Sequence, residues 1–463
     1  MLVVLAEVIV LVFVMNNIIE ANFNSLMFNN PVTGEPQQYF GTVIGNVASG
    51  EGRLFDHRGN LIYCGGFNNN LYNGYSVKYE QINAVHSSMS VGEYECVYEG
   101  EFSEGEYNGQ GKEYRYDAEY TFEKELGKST QLYYEGEFLK GKHCGHGTLY
   151  EITPKYQGGF FDGIYNGYGM KWFLSDNEIY RMEGYFRDGQ MNGHGVQYYP
   201  NGQPFFEGEY MDGLGVSGTF YFENGSIKYE GSVQSDKYHG SGILYWENGY
   251  TCYKGDWNEG MRQGEGISYS EQTGLQTYSG GWQKNEWSGY GTKYYEDGVT
   301  PYYIGYWEKG QESGWGVRYY EDSHNEEYQK AKEGTWSDGR LNGKGTAYYE
   351  NGEVRYTGGW VDDEYSGEGE WNWDNGQLYF KGHFENGMVE GNGTTYNRDG
   401  TRIYEGDISG NKCNGYGTCY WENQKIKYQG EWKEDKYSGE GKEYSKDGEL
   451  LREGTFMNGE FIP

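Results

Sequence analysis

Aliphatic residues are scarce in this 463-residue chain, with Leu, Ile and Val thinning out beyond the first thirty positions. A core packed on both faces of a sheet is built from such residues, so an ordinary doubly layered domain is excluded. Proline (7) and cysteine (6) are also rare. The cysteines, at 64, 96, 144, 252, 413 and 419, follow no CxxC spacing, so dense disulfide stapling is absent and a reducing compartment fits better. Basic residues number 37 against 70 acidic ones, a formal net charge of −33. Such a surface repels nucleic-acid phosphate and anionic headgroups, which disfavours nucleic-acid binding and direct anionic-lipid binding by the chain as a whole. The same charge keeps an aromatic-rich protein soluble. A long hydrophobic run is missing too. Residues 1–14 are apolar apart from Glu7, but a membrane helix needs about 20 residues. Residues 1–21 keep three readings: a cleaved signal ending near Ala21, an anchor, or an element packed on the segment that follows. Residues 22–38, rich in Asn and Pro, read as linker.

Glycine (77) and tyrosine (51) are abundant instead, and aromatics reach 18%. Their placement is periodic. Tyr356-x-Gly358-x-Trp360, Phe380-x-Gly382-x-Phe384, Tyr404-x-Gly406-x-Ile408 and Tyr428-x-Gly430-x-Trp432 repeat one phrase. Each is answered by a pair of glycines: Gly367 and Gly369, Gly391 and Gly393, Gly415 and Gly417, Gly439 and Gly441. The leading glycines at 358, 382, 406 and 430 stand 24 residues apart, a period that marks a repeat array. The grammar starts at Tyr39-x-Gly41 and ends on a half unit, Gly454 to Phe456, whose second strand is missing. Sixteen units and this half form one continuous array over 39–463. Met182 and Lys332 replace the leading aromatic in two units, and Ser217-Gly218 stands where a spaced pair belongs. Two long steps place insertions near 81–93 and 115–130, which are candidate binding loops.

The phrase alternates with a period of two, so aromatic, glycine and aromatic share one face of a strand. The glycine pair of the next strand leaves bare backbone on that face, where a Tyr or Trp ring can lie flat. Asn-Gly or Asp-Gly pairs such as Asn351-Gly352, Asn375-Gly376 and Asp399-Gly400 fall between units and predict type I′ hairpin turns. The other connection, such as 433–438, reads as a six-residue loop. Tyr444, three residues after Gly441, has the wrong parity for the glycine face; it points outward or follows a bulge. The expected fold is all-β: an elongated, single-layer, twisted antiparallel meander of tandem hairpins, an open ribbon or trough and not a closed barrel. About 33 strands at roughly 4.8 Å would run on the order of 160 Å.

Tyr428-x-Gly430-x-Trp432-x5-Ser438-Gly439-x-Gly441-x-x-Tyr444 resembles the MORN repeat (membrane occupation and recognition nexus), and the resemblance covers residues 39 to about 460. It implies an elongated all-β scaffold that assembles other proteins at membranes, the cytoskeleton or the ciliary axoneme. Some members self-associate, and others carry a fused kinase or methyltransferase domain, for which residues 39–463 leave no room.

Signals for chemistry are weak. His143-Cys144-x-His146 is the one tight cluster of metal-capable side chains, short of the three or four converging ligands a site needs. Asp362-Asp-Glu364 and Glu321-Asp322 lack calcium-loop spacing. The Gly-x-Gly pairs lack the strand–turn–helix context of phosphate loops. No catalytic, cofactor or metal residue is therefore assigned, and an enzyme is not expected. The expected function is a non-catalytic scaffold for protein partners, self-association among them, in a cytoplasmic, cytoskeletal or ciliary setting. The alternatives are a membrane tether held through residues 1–21, which would make the protein membrane-associated or secreted, and a regulatory subunit of an enzyme acting in trans.

Overall fold

The computed structural model describes residues 24–30, 32–81, 94–116, 130–151, 153–175, 178–321 and 328–463. The apolar run 1–21, the bulk of the insertions at 81–93 and 115–130, and Asp322 lie outside them. Two compact units divide the chain, residues 1–225 and 226–463. Among the described residues the first contains fifteen strands, from Asn24–Asn29 to Leu214–Tyr221, and the second twenty, from Ile227–Gln234 to Glu460–Phe461. Within each unit every strand pairs antiparallel with its neighbours in sequence, so each unit is an open meander and neither closes into a barrel. No helix occurs among the described residues.

Both ends extend the expected array. Residues 22–38 are not simply linker, because Asn24–Asn29 pairs with Pro36–Ile44. Leu26 and Phe28 are half-buried between the exposed Ser25, Met27 and Asn29, with the Phe28 ring 6.0 Å from that of Tyr39. At the other end the half unit does gain a second strand, Glu460–Phe461, whose Phe461 ring packs on Phe456. The described flanks of the insertions lengthen their hairpins, with Gln81 opposite Tyr94 and Tyr116 opposite Thr130.

The turns are exchanged relative to expectation. Trp373 N–H donates to Gln377 O (2.7 Å) and Gly376 N–H to Trp373 O (3.0 Å), and only Gly376 has a positive φ, 79°. That is a type I turn closed by a left-handed glycine, a three-residue loop and not type I′. The type I′ turns lie inside the repeats. Glu434 (φ 48°) and Asp435 (φ 68°) alone join Ile426–Lys433 to Lys436–Tyr444, where six loop residues were expected. A bulge absorbs the difference. Gly430 faces Gly441 and Trp432 faces Tyr437, so Ser438, Gly439 and Glu440 stand opposite Glu431 alone. Gly439, at φ 57°, makes that bulge. A second shift falls between Glu443 and Tyr444, but its extra residue, Leu451, is on the facing strand, so Tyr444 keeps its outward parity and sits half-buried.

Both glycines of a pair were expected to bare the backbone under a ring, but only the second of them seats one. Tyr428 is fully buried, and a Cβ on Gly441 would collide with its ring. Tyr437 stacks flat on Tyr428 at 3.8 Å and 7°, while Trp432 and the next unit's Phe456 meet it edge-on at 5.3 and 5.2 Å. Tyr428 Oη donates to Glu431 O (3.0 Å), and Trp432 Nε1 to Gly417 O of the unit before (3.1 Å). Each buried polar tip thus finds a backbone partner, as a buried Tyr or Trp requires. Tyr356 over Gly358 and Gly369, and Tyr404 over Gly406 and Gly417, repeat the arrangement. Phe380 repeats it without a hydroxyl: its ring lies against Gly382 and against Gly393, where a Cβ would collide with it. Gly393 faces Gly382 across the hairpin, whereas its partner Gly391 has a φ of 80° and stands clear of the ring. Trp360, Phe384 and Ile408 fill the edge-on position, while Gly367, Gly391 and Gly415 take the bulge. Where the leading aromatic is missing, an aliphatic chain fills the seat: Met191 lies over Gly195, and Leu341 over Gly345. Beside the latter seat, the indole N–H of Trp360 from the next repeat is left without an acceptor among the described residues.

Candidate interaction surface

The tight metal-capable cluster does not converge. His143 takes the stacking position over Tyr134 (3.8 Å, 14°), and its Nε2 lies 2.7 Å from Glu113 Oε2. Burial works against ionised Glu113, but the bond from His143 and the Arg115 guanidinium outweigh it and hold the carboxyl below its ordinary range. His146 lies at the exposed position between Gly145 and Gly147, so the two histidines face opposite sides of the sheet. Asp362 and Asp363 form a turn with positive φ, and Asp363 binds Lys332 at 2.8 Å. Among the described residues no group of three or more His, Cys, Asp and Glu side chains gathers as metal ligands would.

Period-two alternation sends every second residue away from the ring-bearing face. The residue between the paired glycines stands there, directly opposite the residue that precedes the edge-on aromatic of the next unit. Tyr416 faces Glu431 in this way, Tyr75 faces Glu101, and Glu440 faces Thr455. The row crosses the strands, and two chemical types recur in it. One is aromatic. Tyr168 and Tyr185 meet edge-on at 5.4 Å, as do Tyr290 and Tyr306, and Trp315 follows on the next strand. Tyr290, Tyr306 and Trp315 are 53%, 51% and 53% exposed. The other type is acidic and includes Glu101 and Glu209 in the first unit, and Asp256, Glu265, Glu368 and Glu431 in the second. None of these six carboxylates has a Lys or Arg partner among the described residues; Glu368 faces His383 at 3.3 Å.

Beside Trp315 the same face hollows into a groove of about 710 Å³, with Gly334, Gly345, Gly358 and Gly359 as its floor and Trp315, Glu333 and Glu368 among its walls. Lys344 also borders it. Gly359 leaves no room for a side chain, since a Cβ there would meet the Ser366 carbonyl. Sequence reasoning missed this row, although the signal was present: the variable letters of the repeat are themselves in register every unit.

Thirteen stretches match the model of the MORN repeat: residues 98–117, 134–150, 156–174, 183–203, 206–227, 229–249, 253–271, 278–300, 333–354, 356–378, 380–402, 404–425 and 428–449. The unit containing Trp315 falls between two of these, yet it builds the same hairpin, with Gly305 facing Gly316. No curated protein sequence matches the chain. Among solved structures, the Photorhabdus luminescens Tc holotoxin pore with a TccC3 mutation aligns at 11% identity over 91% of this chain and 24% of that one, with a TM-score of 0.15. The TcdB2–TccC3–Cdc42 complex aligns at 11% identity over 93% and 27%, with a TM-score of 0.13. The chain thus spans about a quarter of those chains, and likeness at such TM-scores carries no argument.

Proposed function

Because the chain belongs to the MORN-repeat family, we propose that it is a non-catalytic scaffold whose exposed row of aromatic and acidic side chains holds protein partners. One observation carries this reading. Tyr290, Tyr306 and Trp315 stay half exposed on three consecutive strands, although Tyr303 and Trp307 beside them are almost completely buried and the remaining rings of those strands are at least half-buried. Clustered exposed aromatics serve as interface anchors. The setting we favour is a cytoskeletal or ciliary assembly, a reading that the family resemblance supports. The apolar run 1–14 supports a second reading, a membrane tether, which unchanged membrane fractionation after deletion of residues 1–21 would eliminate.

The test is affinity purification with the full chain and with a Tyr290→Ser/Tyr306→Ser/Trp315→Ser variant, at physiological salt. Stoichiometric proteins recovered with the parent and lost with the variant are expected. Identical recoveries, or none with either chain, would overturn the reading.

A further inference from the structure

We infer that the exposed row of the second unit is a binding site for an arginine-bearing segment of a partner protein. The inference rests on the scaffold reading and adds the chemistry of what is held. Its first support is charge. Asp256 and Glu265 lie on one side of the Tyr290–Tyr306–Trp315 cluster and Glu368 on the other, and no Lys or Arg of the described chain pairs with any of them. Elsewhere the chain does use its few cations on carboxylates: Lys381 binds Glu370 at 2.8 Å, and Lys442 binds Glu453 at 2.9 Å. The row's acids are therefore left for a cation from outside. Lys344 is the row's own lysine in this unit, and it sits by the groove between Trp315 and Glu368.

The second support is the rings. Tyr290 and Tyr306 meet at 78°, so the pair offers a ring face beside a ring edge and not a flat platform. A cation over a ring face is attracted by the quadrupole, and a planar guanidinium also stacks there. Arginine matches both halves of the row, since its fork also takes a carboxylate through two parallel hydrogen bonds. Lysine also brings a charge to the ring, but it has neither the planar stack nor the two-pronged contact with a carboxylate. A second copy of this chain would bring the same carboxylates against themselves, and nucleic acid or an anionic bilayer would be repelled.

The probes are fluorescein-labelled octa-arginine, octa-lysine and octa-glutamate, titrated into the full chain at about 0.15 M salt, where long-range attraction is screened. Octa-arginine is expected to bind about fivefold tighter than octa-lysine, and octa-glutamate not at all. Tyr290→Ser/Tyr306→Ser/Trp315→Ser should weaken octa-arginine roughly tenfold, and Asp256→Asn/Glu265→Gln should weaken both cationic peptides. The altered side chains are exposed, so unchanged far-UV circular dichroism verifies the fold of each variant. Equal affinity of the two cationic peptides, or of parent and triple-serine variant for octa-arginine, overturns the inference as mere polyanion attraction. If the triple variant loses protein partners on affinity purification while octa-arginine binding is unchanged, the scaffold stands and the arginine site falls. If neither changes, both fall.

Discussion

Two glycines of one repeat do different work, and an alanine at each separates the roles. Gly369 has an ordinary φ but no room: its Cβ would meet the Tyr356 ring, which is fully buried and stacked on Tyr365 at 3.9 Å. Gly367 has room but a φ of 70°, with nothing within 4 Å of a Cβ. Gly367→Ala should cost about 1 kcal/mol of backbone strain. Gly369→Ala should cost about 3 kcal/mol, because the ring must leave its seat. Equal urea midpoints for the two variants would rule out the seat. The left-handed turn position supplies a converse case. Gln424 occupies it at φ 68°, where Gly376, Gly400 and Gly448 stand in sister turns. Gln424→Gly should raise stability by about 1 kcal/mol, read as a higher Tm. A lower Tm would mean that the contacts of the Gln424 side chain with the Arg402 backbone, at 3.3 Å, weigh more than the strain.

Adjacent hairpins are tied together at both ends of their strands. At the type I′ end, Asp435 N–H donates to Cys413 O (3.1 Å), and Gly459 N–H to Tyr437 O (2.9 Å). Asp435 also accepts from Cys413 N–H (2.8 Å), beside a thiol that burial pushes up to about 12. At the other end an aromatic that opens the turn reaches one unit on: Trp373 Nε1 to Tyr396 O (3.0 Å), and Trp421 Nε1 to Tyr444 O (3.1 Å). Asn351 and Asn375 Nδ2 add parallel rungs to Asp374 O and Arg398 O. These rungs join successive repeats, the contacts on which array stability depends. Trp421→Phe keeps the ring and removes the donor, so it should cost about 1 kcal/mol. Amide exchange in Ile426–Lys433 and Lys436–Tyr444 should quicken accordingly. Unaltered exchange there would show that the rung contributes nothing.

On the scale of the whole molecule, the recurrence of one buried phenol in successive repeats couples stability to alkaline pH. Burial raises Tyr39, Tyr356 and Tyr428 to about 12, against an ordinary value of 10.0. A phenol with a raised folded pKa stabilises the fold fully below its unfolded pKa and loses that contribution as pH climbs to the folded one. Many such groups act together. Strand signal should therefore collapse cooperatively between pH 10 and 12, with tyrosinate absorbance appearing at the same midpoint. Gradual phenol titration with the strand signal intact would contradict the buried stack.

How much could be read from the chain follows from what each feature depends on. The period-two phrase of Tyr428, Gly430 and Trp432 decided strand, face and open meander, because alternation along a strand needs no knowledge of neighbours. The family was legible for the same reason. The turn types were not. Asn375-Gly376 carries the ordinary type I′ signal, yet the bulge at the first glycine of each pair sets the strand lengths and moves that turn to residues such as Glu434 and Asp435. The division of labour within a pair, Gly391 at the bulge and Gly393 under the Phe380 ring, was hidden for the same reason. The stacking residue Tyr437, the rungs from Trp373 and Trp421, and the strand Asn24–Asn29 also escaped, since each is defined by a partner on another strand. The row of Tyr290, Tyr306 and Trp315 belongs with them. By itself the sequence determined the repeat, the sheet and the acidity, which are local or additive properties. Only the tertiary structure decided which rings are seated on glycine and which stand exposed beside acidic side chains, because that depends on cross-strand register.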